Sequence, residues 1–458
     1  MAGKIKAMWT NKDIRNRILF TLFAFLVYRL GSAITVPDVN TADLVNGLGE
    51  NSLFAMLNLL GGGGLEQFSV FALGVTPYIT ASIIIQLLSM DVIPHLTELS
   101  KAGANGRKTL DKYTRYLAVV FAFVQSFSLV YGFSKTYTGL IVGGVTISKI
   151  LYIATIFAAG SMFLVWIGDQ ISMKGIGNGI SMVIMAGIVG RMPQQFSSAW
   201  SSLITGESAP TYGAWLFAAY ILVYLLIIIF VTLINTAERR IPIQYTSSSI
   251  SLSKPSEANY LPLKVNSASV IPVIFASSLS KPSEANYLPL KVNSASVIPV
   301  IFASSLMMAP IQVASFFPSN DFIKGMQKWL GLQTWYSLII YVLLILFFTF
   351  FYTKMQINPE KVAENLGKSG SYIPSIRPGT ETKDYINRVL SRITVLGSIA
   401  LAIIAVMPHI MPIIWPDLPS SMALGGTGMI IVVGVAIETV RQVQGLITQK
   451  SYKKYYED

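Results

Sequence analysis

The sequence predicts an all-α polytopic membrane protein that crosses the bilayer about ten times with both ends on the cytoplasmic side. Three observations predict it. The 458 residues are 53% hydrophobic and only 12% charged, with a mean hydropathy of +0.58, too apolar for a chain wearing a polar shell. Apolar runs near the 20 or so residues a spanning helix needs recur along almost the whole chain. The basic residues fall on one side of the resulting topology.

The expected spans are 18–36, 68–90, 113–133, 149–168, 179–199, 214–234, 295–317, 335–353, 393–415 and 425–447. Before the first lies a basic leader with Lys4, Lys6, Lys12, Arg15 and Arg17; no small-residue cleavage site follows it, so it reads as a retained cytoplasmic anchor. The fifth span is short and carries Gly187, Gly190 and Arg191, which suits a tilted helix or one enclosed by protein. Of the 34 Lys and Arg, only Lys135, Lys149, Arg191, Lys324 and Lys328 fall on the outer side, and Arg29 lies within the first span. That bias fixes the orientation. The polar stretches 95–112, 238–268 and 354–392 are then cytoplasmic loops, the last running through a turn-rich tip, Gly370 to Thr382, around Arg377.

Residues 252–278 and 279–305 are the same 27 residues, repeated without a change. Natural repeats diverge, so identity points to engineering or a recording error. Only the second copy continues into Leu306-Met307-Met308 and reaches spanning length, which places 246–290 in an enlarged cytoplasmic loop.

Motifs for chemistry are weak. Ala363 to Ser369 ends like a phosphate-binding loop but has Val362 where glycine is needed, and Gly175-Ile176-Gly177-Asn178-Gly179 joins two apolar runs with no strand nearby. With no cysteine and two distant histidines, His95 and His409, neither a disulfide nor a metal site is expected. Apart from Arg29, the spans carry charge only near their ends, as at Asp169, Arg191 and Glu438. Ion-coupled carriers place ionisable groups at midplane, so a secondary transporter of a small solute is the lesser alternative, and an enzyme is not expected. Mere spanning leaves Gly61-Gly62-Gly63-Gly64 unexplained. Four glycines cannot continue a helix cheaply, so the short apolar piece Leu53 to Leu60 is free to fold back as a separate element, a re-entrant segment or a plain external loop.

Four stretches carry a resemblance: Phe71-Ala72-Leu73-Gly74-Val75-Thr76-Pro77-Tyr78 and on to Leu88; Gly175 to Ser181; Glu238-Arg239-Arg240-Ile241-Pro242; and Arg377-Pro378-Gly379-Thr380. With the span pattern, the chain resembles the SecY family, the large subunit of the bacterial protein-conducting channel. The resemblance implies two pseudo-symmetric five-helix halves around a central pore. Unfolded secretory polypeptides would pass through that pore, and membrane segments would leave sideways through a lateral gate between the second, third, seventh and eighth spans. It implies an aliphatic pore ring at Ile79, Ile83, Ile184, Ile188, Ile301 and Ile431, with Ile274 of the first repeat copy competing for the place of Ile301. The i, i+4 spacing of Ile79/Ile83 and of Ile184/Ile188 independently puts each pair on one helix face. It further implies a plug over about 57–69, with Leu57, Leu59, Leu60 and Leu65 beside the hinge Gly61, Gly62, Gly63 and Gly64. The gate would include Thr80, Gln86, Gln125 and Ser304, and partners would dock on Arg377, Arg239 and Arg240.

Implied partners are the small subunits SecE and SecG, the SecA ATPase, the ribosome, signal sequences with their translocating polypeptide, and the lipid bilayer; the implied location is the bacterial plasma membrane. No cofactor is implied. The corresponding division is a cytoplasmic segment 1–17, a first five-helix half 18–200, a sixth-span region 201–237, a duplicated loop 238–294, the seventh and eighth spans 295–353, a docking loop 354–392, the last two spans 393–447, and a tail 448–458. The stretch after Tyr245 departs from the family, since Thr246 to Ser251 and the duplicated block stand where a basic tip is usual.

Overall fold

A computed structural model of the chain describes residues 9, 11–40, 63–65, 67–90, 92–136, 139–205, 212–236, 238–242, 244–245, 260–264, 298–314, 325, 329, 334–356, 359–368, 371–414 and 425–457. Its helices are α1 (Lys12–Ala33), α2 (Thr76–Leu88), α3 (Pro94–Lys101), α4 (Gly103–Thr136), α5 (Ile147–Lys174), α6 (Gly179–Trp200), α7 (Gly213–Thr236), α8 (Ile298–Ala314), α9 (Trp335–Gln356), α10 (Pro359–Lys368), α11 (Thr380–Ile414) and α12 (Gly425–Glu457). A π-helical turn, Ser201–Thr205, closes α6. All but α3 and α10 answer one for one to the expected spans. Among the described residues, six segments are long and apolar enough to cross a membrane: Asn105–Lys135, Ile147–Lys174, Gly213–Thr236, Trp335–Thr353, Thr380–Met407 and Gly428–Leu446; Thr76–Leu88 is a shorter apolar helix.

Two groups of five form the body. In the first, α4 packs along both α2 and α5, α5 along α6, and α1 against α5 and α6. In the second, α9 lies between α8 and α11, and α12 packs against α7 and α11. The groups meet extensively where α12 lies on α6, and only slightly where α8 touches α2 and α4. The most lipid-like surface is α7, where Trp215, Leu222, Leu226 and Leu233 are all exposed. In water such a face would be untenable; against acyl chains it is matched to its solvent.

The second span starts later than hydropathy implies. Residues 68–75 form successive turns, and α2 begins only at Thr76, with Pro77 in its first turn. Phe68 (φ +45°) and Gly74 (φ +57°) adopt left-handed backbone that no α-helix accommodates. This irregular stretch is nonetheless buried: Leu65, Phe68 and Ser69 are fully enclosed, and Phe68 packs its ring against Phe133 and Phe157. Its polar backbone is satisfied by protein. Val36 N–H donates to Phe68 O, Val70 N–H donates to Ile34 O, and the Ser161 hydroxyl donates to Gly74 O at 2.8 Å. Non-helical backbone at membrane depth survives only on those terms. Gly160 is required here because a Cβ on it would lie 2.0 Å from Val70 O.

The three stretches expected as cytoplasmic loops are largely structured. Stretch 95–112 is most of α3 and the first turns of α4. Stretch 354–392 holds α10, a two-residue strand β4 (Ser371–Tyr372) and the first turns of α11. Stretch 238–268 holds three strands, β1 (Glu238–Pro242), β2 (Gln244–Tyr245) and β3 (Tyr260–Lys264). β1 pairs antiparallel with β3, Glu238 opposite Lys264 and Pro242 opposite Tyr260, while β2 pairs with β4. β3 belongs to the first copy of the repeat, so the segment 246–290 is not loop throughout; the same five residues recur in sequence as Tyr287 to Lys291, outside the described residues. Polarity reports exposure to water, and an amphipathic helix or a ribbon satisfies it as well as a loop does.

Candidate functional site

The pore-ring candidates come from four helices: Ile79 and Ile83 from α2, Ile184 and Ile188 from α6, Ile301 from α8, and Ile431 from α12. All six join one hydrophobic cluster. Ile184, Ile188 and Ile431 are buried within it, and the partly buried Ile79, Ile83 and Ile301 pack against it. The cluster draws on both groups of five helices, so apolar packing continues across their meeting. Ile274, the competitor from the first repeat copy, lies outside the described residues.

The gate candidates lie on α2, α4 and α8, the helices that share the slight contact. Thr80 Oγ1 donates to Thr76 O, Ser304 Oγ to Ile301 O, and Gln86 Nε2 to Ser82 Oγ, so each bond stays within its own helix. The side-chain oxygens of Gln86 and Gln125 are buried and find no hydrogen-bond partner among the described residues. Leaving a buried acceptor unpaired costs about 1–3 kcal/mol.

Of the plug and hinge candidates, Gly63, Gly64 and Leu65 are described; Leu57, Leu59, Leu60, Gly61 and Gly62 lie outside the described residues. Gly63 has φ +85°. Leu65 anchors the far end of the hinge in a second core with Val36, Phe68, Leu73, Phe133 and Ile153.

The docking candidates share a unit with its own core. Ile241 of β1 is buried against Val362, Leu366, Ile373, Ile386, Leu390 and Ile393, tying the ribbon to α10 and to the extension of α11. Arg377 stands exposed on the turn that precedes α11. Its backbone N–H donates to Glu381 Oε2 at 3.4 Å, and the buried Thr382 donates its hydroxyl to Arg377 O at 2.8 Å. Glu381 thus serves the first turn of α11, where an acidic group also favours the helix dipole. Arg239 and Arg240 lie in β1 opposite Leu263 and Pro262. Among the described residues no cluster of His, Cys, Asp and Glu could hold a metal.

Sequence reasoning read the Gly175–Gly179 loop as a plain turn and missed its role as a junction. Arg17 donates to Gly175 O at 3.2 Å, Ile176 N–H donates to Thr21 Oγ1, and Gly177 N–H donates to Gln442 Oε1. One five-residue loop therefore ties α1, α5, α6 and α12 together, across the two groups. A Cβ on Gly179 would lie 1.7 Å from Gly168 O, so α5 and α6 can cross here only without one. Gly177, at φ +86°, supplies the left-handed turn. The density of glycine was the available signal.

Two groups of helices joined by one apolar cluster, with a buried non-helical segment beside it, define a polytopic helical membrane protein. The sequence model of the SecY family matches residues 69–283 and 280–440, the division falling at the start of the second repeat copy. The chain belongs to the SecY family. It is 41% identical over 459 residues to protein translocase subunit SecY 1 of Lactobacillus kefiranofaciens subsp. kefiranofaciens, covering 99% of each chain. It is 40% identical over 445 residues to protein translocase subunit SecY of Staphylococcus carnosus, covering 97% of each.

Among solved structures it resembles a protein-conducting channel, with a TM-score of 0.61 at 18% identity, covering 94% of this chain and 92% of that one. It also resembles the idle yeast Ssh1 complex bound to the yeast 80S ribosome, with a TM-score of 0.62 at 16% identity, covering 93% and 89%. A third is a channel in which the plug domain of the SecY protein stabilises the closed state, with a TM-score of 0.59 at 17% identity, covering 94% and 92%. The fold is that of a protein-conducting channel, and the chain is a translocase channel subunit rather than an enzyme. The small-solute transporter finds no support among these relatives.

Proposed function

We propose that the chain forms a resting-closed channel in a bacterial plasma membrane, with both termini in the cytoplasm, and that unfolded secretory polypeptides thread it between the six isoleucines. The observation that carries this reading is the convergence of Ile79, Ile83, Ile184, Ile188, Ile301 and Ile431 from α2, α6, α8 and α12 into one apolar cluster. Six branched side chains leave no polar surface to hold a file of water or ions, yet yield when an unfolded chain pushes through.

The other parts draw on the family resemblance together with the contacts described above. The slight seam of α8 against α2 and α4 opens sideways, and the buried oxygens of Gln86 and Gln125 lower the cost of parting it because opening gives them partners. The glycine-hinged segment about 57–69 seals the outer side at rest. Arg377, with Arg239 and Arg240, receives the cytosolic motor SecA or the ribosome, and SecE and SecG brace the helix bundle from the lipid side. The domain division follows: docking surface in 238–294 and 354–392, pore and gate in 18–200, 295–353 and 393–447, a sixth-span support in 201–237, and cytoplasmic ends at 1–17 and 448–458.

The test is uptake. In proteoliposomes containing the chain with SecE and SecG, ATP and SecA should drive a radiolabelled unfolded precursor into protease-protected space, while radiolabelled small solutes stay outside. Solute uptake driven by an ion gradient, without precursor uptake, would overturn the reading.

A further inference from the structure

Gln442 stands on the half of α12 beyond the isoleucines, and the channel described so far gives it no task. Its Oε1 accepts the N–H of Gly177, in the loop that opens α6. That loop is held on its other side as well, since Arg17 donates to Gly175 O at 3.2 Å and Ile176 N–H donates to Thr21 Oγ1 at 3.1 Å. It is a fixed mark on the first group of helices, against which α12 of the second group is placed. Three residues before Gln442, Thr439 Oγ1 lies 3.6 Å from Met182 Sδ. Both close on Gly177, where a Cβ would stand 3.2 Å from Met182 Cγ and 3.3 Å from Thr439 Oγ1. Because α6 leaves this loop and α12 arrives at it, the two helices run antiparallel. The count along them then matches. Ile188 lies eleven residues after Gly177 and Ile431 eleven before Gln442, while Ile184 and Val435 lie seven away on the same two sides. All four are buried in one cluster. Equal counts at about 1.5 Å per residue put Ile188 and Ile431 at one level.

We infer that Gln442 is a positioning residue of the channel: by holding Gly177 N–H it sets the register of α12 on α6, and so brings Ile431 to the level of Ile188. Aliphatic side chains pack nearly as well after a slip of one turn. A hydrogen-bonded amide does not, because slipping leaves a donor and an acceptor unpaired, and one polar group in an apolar seam fixes register in this way. Glutamine suits the place because two methylenes carry its carbonyl from helix to loop, where it accepts from a backbone N–H without adding charge. Gly177 suits it because its left-handed backbone, at φ +86°, is open only to glycine at low cost and leaves room for Met182 and Thr439. The inference rests on the ring reading given above.

Paired cysteines test it, and the chain has none of its own to interfere. In the SecE- and SecG-bound channel in vesicles, a short bifunctional maleimide is offered to two matched pairs, Ile188→Cys with Ile431→Cys and Ile184→Cys with Val435→Cys. It is also offered to two displaced pairs, Ile188→Cys with Val435→Cys and Ile184→Cys with Ile431→Cys, which report a slip of one turn in either direction. Linked peptides are counted by mass spectrometry. The parent should favour the matched pairs at least about fivefold, the factor ~1 kcal/mol commands. Gln442→Leu, which keeps the bulk and loses the acceptor, should bring matched and displaced pairs within about twofold, a difference of ~0.4 kcal/mol. Gln442→Glu, which still accepts, should keep the parent's preference. Gln442→Asn, one methylene short, should lose it, and decides the matter should Gln442→Leu fail to assemble. A parent without the preference, a leucine variant that keeps it, or a glutamate variant that loses it as leucine does would overturn the inference. Resting conductance of Gln442→Leu in planar bilayers, with no cysteines introduced, separates the two readings and should rise about fivefold. If the preference falls and the channel stays silent, the register role stands and the ring reading fails; if the preference holds, only the role of Gln442 fails.

Discussion

Arg377→Glu is expected to abolish SecA-driven translocation while leaving the channel assembled and inserted. The side chain is exposed on a turn fixed from both ends, by Glu381 Oε2 on its N–H and by the Thr382 hydroxyl on its carbonyl. Reversing its charge therefore alters what a partner meets without disturbing a core. Removing one member of a desolvated charge pair costs about 2–5 kcal/mol, and reversal adds repulsion, so SecA affinity should fall at least ~30-fold. Thr382→Val should produce a milder version, about fivefold, because it deletes one hydrogen bond worth ~1 kcal/mol and lets the turn relax. Thr382→Ser should restore the bond and the affinity. Binding of fluorescent SecA to proteoliposomes measures all three. Equal affinity for parent and Arg377→Glu would remove this turn from the docking surface.

The second large effect concerns the closed state. Replacing Ile83 and Ile188 with asparagine should make the resting channel leak ions, with resting conductance in planar bilayers up at least ~10-fold. Two amides facing each other across an apolar waist supply hydrogen-bonding sites that hold water, and an unpaired buried amide costs about 1–3 kcal/mol until water arrives. Asparagine is also the smaller side chain, so an apolar replacement of reduced volume is needed to separate polarity from lost bulk. Ile188→Val, which keeps an apolar surface, should leave the resting state closed. Conductance unchanged in the double asparagine variant would show that the seal lies elsewhere.

How much of this was legible in the sequence differs from part to part. The long helices were, because a membrane span is written in composition alone. Phe68 to Val75 misled the second span, since hydropathy registers burial and this stretch is buried without being helical; Phe68 and Gly74 break it through backbone angles that residue type only hints at. The stretches 95–112, 238–268 and 354–392 were read as loop because they are polar. The order of the last two comes from Ile241 packing on Leu366 and Ile386, contacts between residues more than a hundred apart in sequence that no local pattern reveals. The isoleucine cluster came through the family resemblance and the i, i+4 spacing of two pairs; the meeting of Ile301 and Ile431 with them needed the fold. Arg191 was visible only as a cation in a short span, and the approach of its stem to Gly63 needed the fold.

The central claim is that an unfolded polypeptide passes between these isoleucines. Placing a photo-crosslinking residue at position 188, stalling a precursor in mid-transit with a folded carboxyl-terminal domain, and illuminating should give a crosslink from α6 to the precursor that is absent without SecA and ATP. A crosslink confined to lipid or to neighbouring helices, with the precursor stalled and protected, would mean that the chain takes another route.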